Sequence, residues 1–178
     1  QDYKDKGFNL KLRLKEQGRF PAIALGLNDI GGTGLYSGEY IVSSLSRGNF
    51  DYHFGIAWGS LNHHEHFKNP FIYLNDKFSS RDSEIGKGGT LNLKDFFSGE
   101  SISVFAGLNY LINENTILKF EYDPTKTPGR VGYEKRKSDF NVGINFLRDK
   151  YIFGLNYERD NNVSFNISYR EKFIQPDK

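Results

Sequence analysis

The densest grouping of chemically able side chains is Asn-His-His-Glu-His, where His63, His64 and His66 surround Glu65. Imidazoles and a carboxylate so close together can ligate a divalent metal. No second ligand group lies nearby in sequence, so a solvated loop is the expected reading, and no metal or other cofactor is expected. Gly31-Gly32-Thr33-Gly34 invites a phosphate-loop reading, but neither Gly-Lys-Ser/Thr nor a helical pattern follows it. A turn using positive φ explains those glycines. Asn162-Val163-Ser164 and Asn166-Ile167-Ser168 match the glycosylation pattern yet fall inside a strand-like run. No nucleophile–base pair or carboxylate dyad stands out, so no catalytic residue is expected and the chain reads as a non-enzyme.

Polar and charged side chains instead recur at alternate positions. They include Lys11, Arg13, Asn28, Glu39, His53 and Asn109, then Lys119, Glu121, Asp123, Asn145, Asn156, Glu158 and Arg170. On paired strands such residues would share one face, where opposite charges can pair. If that face lined a barrel lumen, cross-strand pairing in a filled interior is the favoured role. Contact with a passing polar polymer is the second.

The elements that would carry them are strands. Phe140, Val142, Ile144 and Phe146 alternate with Asn141, Gly143 and Asn145. Tyr151, Phe153, Leu155 and Tyr157 alternate with Gly154, Asn156 and Glu158, and Val163, Phe165, Ile167 and Tyr169 with Ser164, Asn166 and Ser168. The same period of two marks Ser101–Ile112, Thr116–Asp123, Phe8–Lys15, the stretch around Ile23–Leu27, Tyr36–Ser46 and Tyr52–Gly59. A 3.6-residue period would scatter these apolar sets around a helix. Links such as Asn113-Glu114-Asn115 and Arg148-Asp149-Lys150 are turn-like and short, which makes neighbouring strands antiparallel. About nine strands follow, each near the length that crosses a bilayer at a tilt. A polar insert at 61–99, with a short apolar centre at Pro70–Leu74, and a basic loop at Thr125–Lys137 break the pattern. Long loops on one side and tight turns on the other suit an outer-membrane barrel, with 61–99 as plug, lid or partner-binding loop.

Composition agrees. Of 178 residues 16 are Phe, 11 Tyr and 19 Gly, so strand and bend formers dominate. With no Cys, disulfides and thiolate chemistry are excluded. A net charge of +2, with cations spread among nearly as many acids, gives no concentrated basic face for nucleic acid. No apolar run reaches the length of a transmembrane helix, and Gln1–Gly7 has no signal-peptide character, so a mature or trimmed chain is expected. Mean hydropathy of −0.61 argues against a helical membrane protein but not against a barrel, whose strands are apolar on one face only. The alternatives are a porin-like channel of the same fold and a soluble carbohydrate-binding β-protein with its apolar face turned inward. The polar face rich in Gly, Asn and Ser, and the aromatics Trp58, Tyr110, Tyr122, Tyr151, Tyr157 and Tyr169 near strand ends, favour the membrane reading.

Particular words of the chain go further. Phe20 to Tyr40, containing Asp29-Ile-Gly-Gly-Thr-Gly-Leu35, resembles the YjbH family of outer-membrane exopolysaccharide and capsule proteins. So do Phe50-Asp51, Gly55-Ile-Ala-Trp-Gly59, Asn69-Pro-Phe71, Phe78, Arg81, Gly88-Gly89, Phe97-Ser-Gly99, Phe105-Ala-Gly107, Glu121-Tyr-Asp123 and Asn141-Val-Gly143. The resemblance implies an all-β, antiparallel up-and-down transmembrane barrel module of about eight to ten strands in the bacterial outer membrane. Its partners would be outer-membrane lipid, a polysaccharide and other export-machine subunits. It implies no catalytic residues, and it marks Asp29–Leu35 as a structural or lumen-side element. Full-length members of the family are much longer.

Overall fold

Each run of alternating residues is a strand. The structure, a computed structural model, describes residues 7–31, 36–81, 95–125, 138–159 and 162–171. Its strands are β1 (Phe8–Lys15), β2 (Ala22–Ile30), β3 (Gly38–Arg47), β4 (Phe50–Ala57), β5 (Phe67–Lys68), β6 (Ser101–Asn113), β7 (Thr116–Tyr122), β8 (Phe140–Arg148), β9 (Tyr151–Glu158) and β10 (Asn162–Tyr169). The nine longer strands follow the expected boundaries to within a few residues. The two-residue β5 lies in the polar insert, where none was expected. Gly32–Gly34, Gly88-Gly89 and most of the 125–137 loop lie outside the described residues.

The ten strands form one sheet ordered β1-β2-β3-β4-β6-β7-β8-β9-β10, with β5 beside β6. This is the expected antiparallel up-and-down succession. Among the described residues the order is an open path ending at β1 and β10, and no pairing joins those two strands. Three 3₁₀ turns, Gly59–Leu61, Pro70–Tyr73 and Asp76–Ser79, complete the secondary structure of the described residues. No helix among them is long and apolar enough to cross a membrane, which says nothing about crossing by strands.

The chain divides into two compact units. The second holds β7–β10, whose registers fix the two faces without irregularity. Leu118, Ile144, Leu155 and Phe165 are successive cross-strand partners, and so are Phe120, Val142, Tyr157 and Val163. Partners share a face, so all eight side chains point one way. The opposite face carries Lys119 beside Gly143 and Asn156, and Glu121 beside Asn141 and Glu158. Phe140, Leu155, Val163 and Phe165 are 64%, 51%, 72% and 65% exposed. The glycines between them, Gly143 and Gly154, are buried, and Asn141, Asn145 and Asn156 are partly covered. The apolar face is therefore the more exposed one, the reverse of a soluble sheet with one solvated side.

In the first unit β1, β2 and most of β3 pair in the same manner. Leu10 and Leu12 face Leu27 and Leu25, while Lys11 and Arg13 face Gly26 and Ala24. A register shift after Phe8 sits opposite Asp29, which takes φ of 55° and donates its N–H to Asn9 Oδ1 at 3.0 Å. That shift is a β-bulge, and aspartate is among the few residues that tolerate the left-handed conformation. Glycine has a second use on the polar face. A Cβ on Gly26 would lie 2.1 Å from the Tyr40 ring, and one on Gly55 2.1 Å from the Phe105 ring. In the second unit Gly143 and Gly154 take the amides of Asn156 and Asn166 in the same way. A glycine in one strand thus leaves a notch that a large neighbour fills, which offsets glycine's cost in a strand.

Candidate functional site

Several of the buried residues of the described chain lie near the ends of β3, β4 and β6 and in the insert that follows β4. Val42, Ala57, Trp58 and Ile102 are the buried apolar residues, and Asp29, Glu39, Asn62, Asn69, Ser98 and Ser103 the buried polar ones. So polar a set must be hydrogen-bonded to be stable. Gly59 lets the chain turn back here. It has φ of 65°, and a Cβ would come within 2.5 Å of the Ser37 carbonyl and 2.8 Å of the Arg81 guanidinium. From that turn the insert folds back over Trp58.

Glu39 lies on β3 opposite Leu27, on the face that carries Leu25 and Ile41. It is fully buried, and Arg81 holds it in a two-pronged fork: Nη1 reaches Oε2 at 2.8 Å and Nη2 reaches Oε1 at 2.9 Å. Arg81 Nη2 also donates to Ser37 Oγ at 2.7 Å, and the Phe97 N–H donates to Glu39 Oε2 at 2.9 Å. Paired forks of this kind are the strong form of the carboxylate–guanidinium contact. Phe97 itself takes φ of 60°, a strained conformation for a bulky residue, stabilised by those flanking bonds.

Asn69 is the second fastener. Its Oδ1 accepts from Trp58 Nε1 and from the Phe71 N–H, both at 3.1 Å. Its Nδ2 donates to the Phe97 carbonyl at 2.8 Å and the Gly99 carbonyl at 2.9 Å. Around it the rings close: Phe71 stacks on Trp58 at 5.5 Å and 7°, and Phe97 meets Trp58 edge-on at 5.2 Å. Asn62 ties the near end of the insert, accepting from Ser103 Oγ at 2.6 Å and donating to the Ser101 carbonyl at 2.9 Å.

The expected site residues distribute differently. Glu39, expected in the polar, lumen-lining set, lies by its register with the leucines, and its carboxylate meets Arg81 rather than solvent. Lys11, Arg13 and Asn28 do lie on the polar face of β1 and β2, and His53 Nδ1 sits 2.9 Å from Ser44 Oγ. Lys119, Glu121, Asn145, Asn156 and Glu158 share the polar face of β7–β9, where Ser164 Oγ donates to Glu158 at 2.8 Å. Asn109 is half-buried in β6, Asp123 Oδ1 accepts from the Thr125 N–H at 2.9 Å, and the Arg170 N–H donates to the Lys150 carbonyl at 2.9 Å. The Lys150 ammonium beside Glu171 holds that carboxyl below its ordinary range. The rings of His63 and His64 meet edge-on, those of His64 and His66 at a tilt, and His66 Nδ1 accepts from the Val104 N–H at 3.3 Å. Among the described residues no grouping of His, Asp and Glu has a metal-holding arrangement.

Sequence reasoning missed Arg81, Asn69, Trp58, Phe71 and Phe97 as one assembly. The available signal was isolated aromatics, one Arg and one Asn-Pro in an otherwise polar insert.

The molecule is thus an all-β antiparallel sheet protein with an exposed apolar face and a fastened insert. The chain belongs to the YjbH family: the model described as "Exopolysaccharide biosynthesis protein YbjH" matches residues 1–177. It is 38% identical over 177 residues to the "Uncharacterized lipoprotein YjbH" of Escherichia coli (strain K12), covering 97% of this chain and 25% of that protein. The chain therefore spans a quarter of the length of that relative. No solved structure matches it.

Proposed function

We propose that this sheet is a stretch of outer-membrane β-barrel wall that serves exopolysaccharide export without catalysing a reaction. One observation carries the reading: on β8–β10 the large apolar side chains are the exposed ones, while the glycines and most asparagines between them are covered. Water would penalise that face at about 25 cal/mol for each Å² of apolar surface, whereas hydrocarbon does not. The family supplies the polymer class, and the relative described as a lipoprotein is consistent with an envelope location. Closure of the sheet is part of the proposal, because unpaired edge groups are not tolerated in lipid. The polar face, with Lys11, Arg13, His53, Lys119 and Glu121, would then border a hydrated interior suited to a hydroxyl-rich chain.

The test is whether the chain reaches a protease-resistant, heat-shifting form only with detergent or lipid. A monodisperse folded protein in plain buffer would refute it. Export of polymer by cells lacking the protein, with and without the restored chain, tests the polysaccharide half separately.

A further inference from the structure

We infer that the insert is an anchor at the lipid–water boundary, placed on the apolar side of the sheet rather than inside an enclosed space. The inference rests on the membrane reading above and deepens it. The insert bears three large apolar side chains that stay mostly exposed: Phe67 is 59% exposed, and Tyr73 and Leu74 are each 77% exposed.

Two independent contacts fix the side of the sheet on which the insert packs. Phe67 is the cross-strand partner of Ile102, so the two share a face. Ile102 alternates along β6 with Val104, Ala106, Leu108 and Tyr110, and Tyr110 stacks on Phe50 at 4.7 Å. That is the face of Phe50, Tyr52 and Phe54 on β4, which are 37%, 46% and 56% exposed. Phe71, in the same 3₁₀ turn as Tyr73, stacks on Trp58, which continues that β4 series. The insert therefore extends the apolar face past the strand ends.

The chemistry of its outer side fits a bilayer boundary. Lys68 Nζ stands 5.4 Å over the Tyr73 ring, which pairs an aromatic body with a cation able to reach headgroups. Tyrosine and lysine concentrate at that depth because each has one apolar and one wet end. Leu74 adds apolar area, and the polar run Asn75-Asp76-Lys77 follows at once.

The chain has no cysteine, so single-cysteine variants carry one spin label each. Leu74→Cys and Phe165→Cys, labelled in the full chain reconstituted into phosphatidylethanolamine–phosphatidylglycerol vesicles, report collision with oxygen, which partitions into lipid, and with a water-soluble nickel chelate. The expected result is a label at Phe165 dominated by oxygen and one at Leu74 at headgroup depth, with oxygen collisions several-fold above those of the same label in detergent-free solution. If Leu74 reports water, or is shielded from both probes as a plug would be, while Phe165 reports lipid, the anchor is overturned and the membrane sheet stands. If Phe165 also reports water, the membrane reading falls and the anchor with it.

Discussion

Arg81 grips Glu39 through both terminal guanidinium nitrogens across a sequence separation of 42 residues, with Glu39 1% and Arg81 17% exposed in their side chains. The pair joins β3 to the far part of the insert. Removing one partner leaves the other's charge buried, which costs about 3–5 kcal/mol. Arg81→Met should therefore release the insert and expose it to limited proteolysis. Arg81→Lys should recover only part of the loss, since an ammonium cannot reproduce the fork. The double variant Glu39→Leu with Arg81→Met should be more stable than Arg81→Met alone, measured by denaturant midpoint.

Trp58 is the sole tryptophan and is fully buried beneath Phe71 and Phe97, so its fluorescence reports the docking of the insert. Asn69→Asp preserves shape but removes the donors to the Phe97 and Gly99 carbonyls, at about 1–3 kcal/mol for each orphaned group. Its emission should move to longer wavelength, as should that of Phe71→Ala. Unchanged emission in both would show that the cluster is not what shields Trp58.

The two faces of β8–β10 predict opposite tolerances. Ile144→Arg places a charge on the apolar face and should cost about 2–4 kcal/mol in a bilayer. Asn145→Arg, one residue on, should cost little. Unfolding in lipid vesicles by guanidinium gives both numbers, and equal effects would contradict a lipid-facing sheet.

Filling a notch should strain the sheet. Gly55→Val drives a side chain into the Phe105 ring and should cost about 1–3 kcal/mol as overpacking. The pair Gly55→Val with Phe105→Ala should recover part of that cost in the same unfolding measurement.

The strands were legible because alternation is a local signal: residues Phe140–Phe146 and Phe153–Tyr157 announce their faces through their neighbours. The site was not. Asn69, Arg81 and Phe97 lie apart in an insert whose local character is polar or irregular, and only folding brings them to Trp58 at the end of β4. Glu39 shows the limit most clearly. Its charge suggested the wet face, yet the register with Leu27 and the covering Arg81 override that suggestion. The open order of the sheet was likewise illegible, because pairing between distant edges leaves no mark in any single strand.

The glycine notches bear on how such a chain can change over generations. Where Gly26 accepts the ring of Tyr40 and Gly154 the amide of Asn166, enlarging one member demands that the other shrink. Sister sequences should thus show these positions drifting in tandem. Because a slip of one residue would set bulk against bulk at every notch, the mismatch also penalises mispaired strands while the sheet is being assembled.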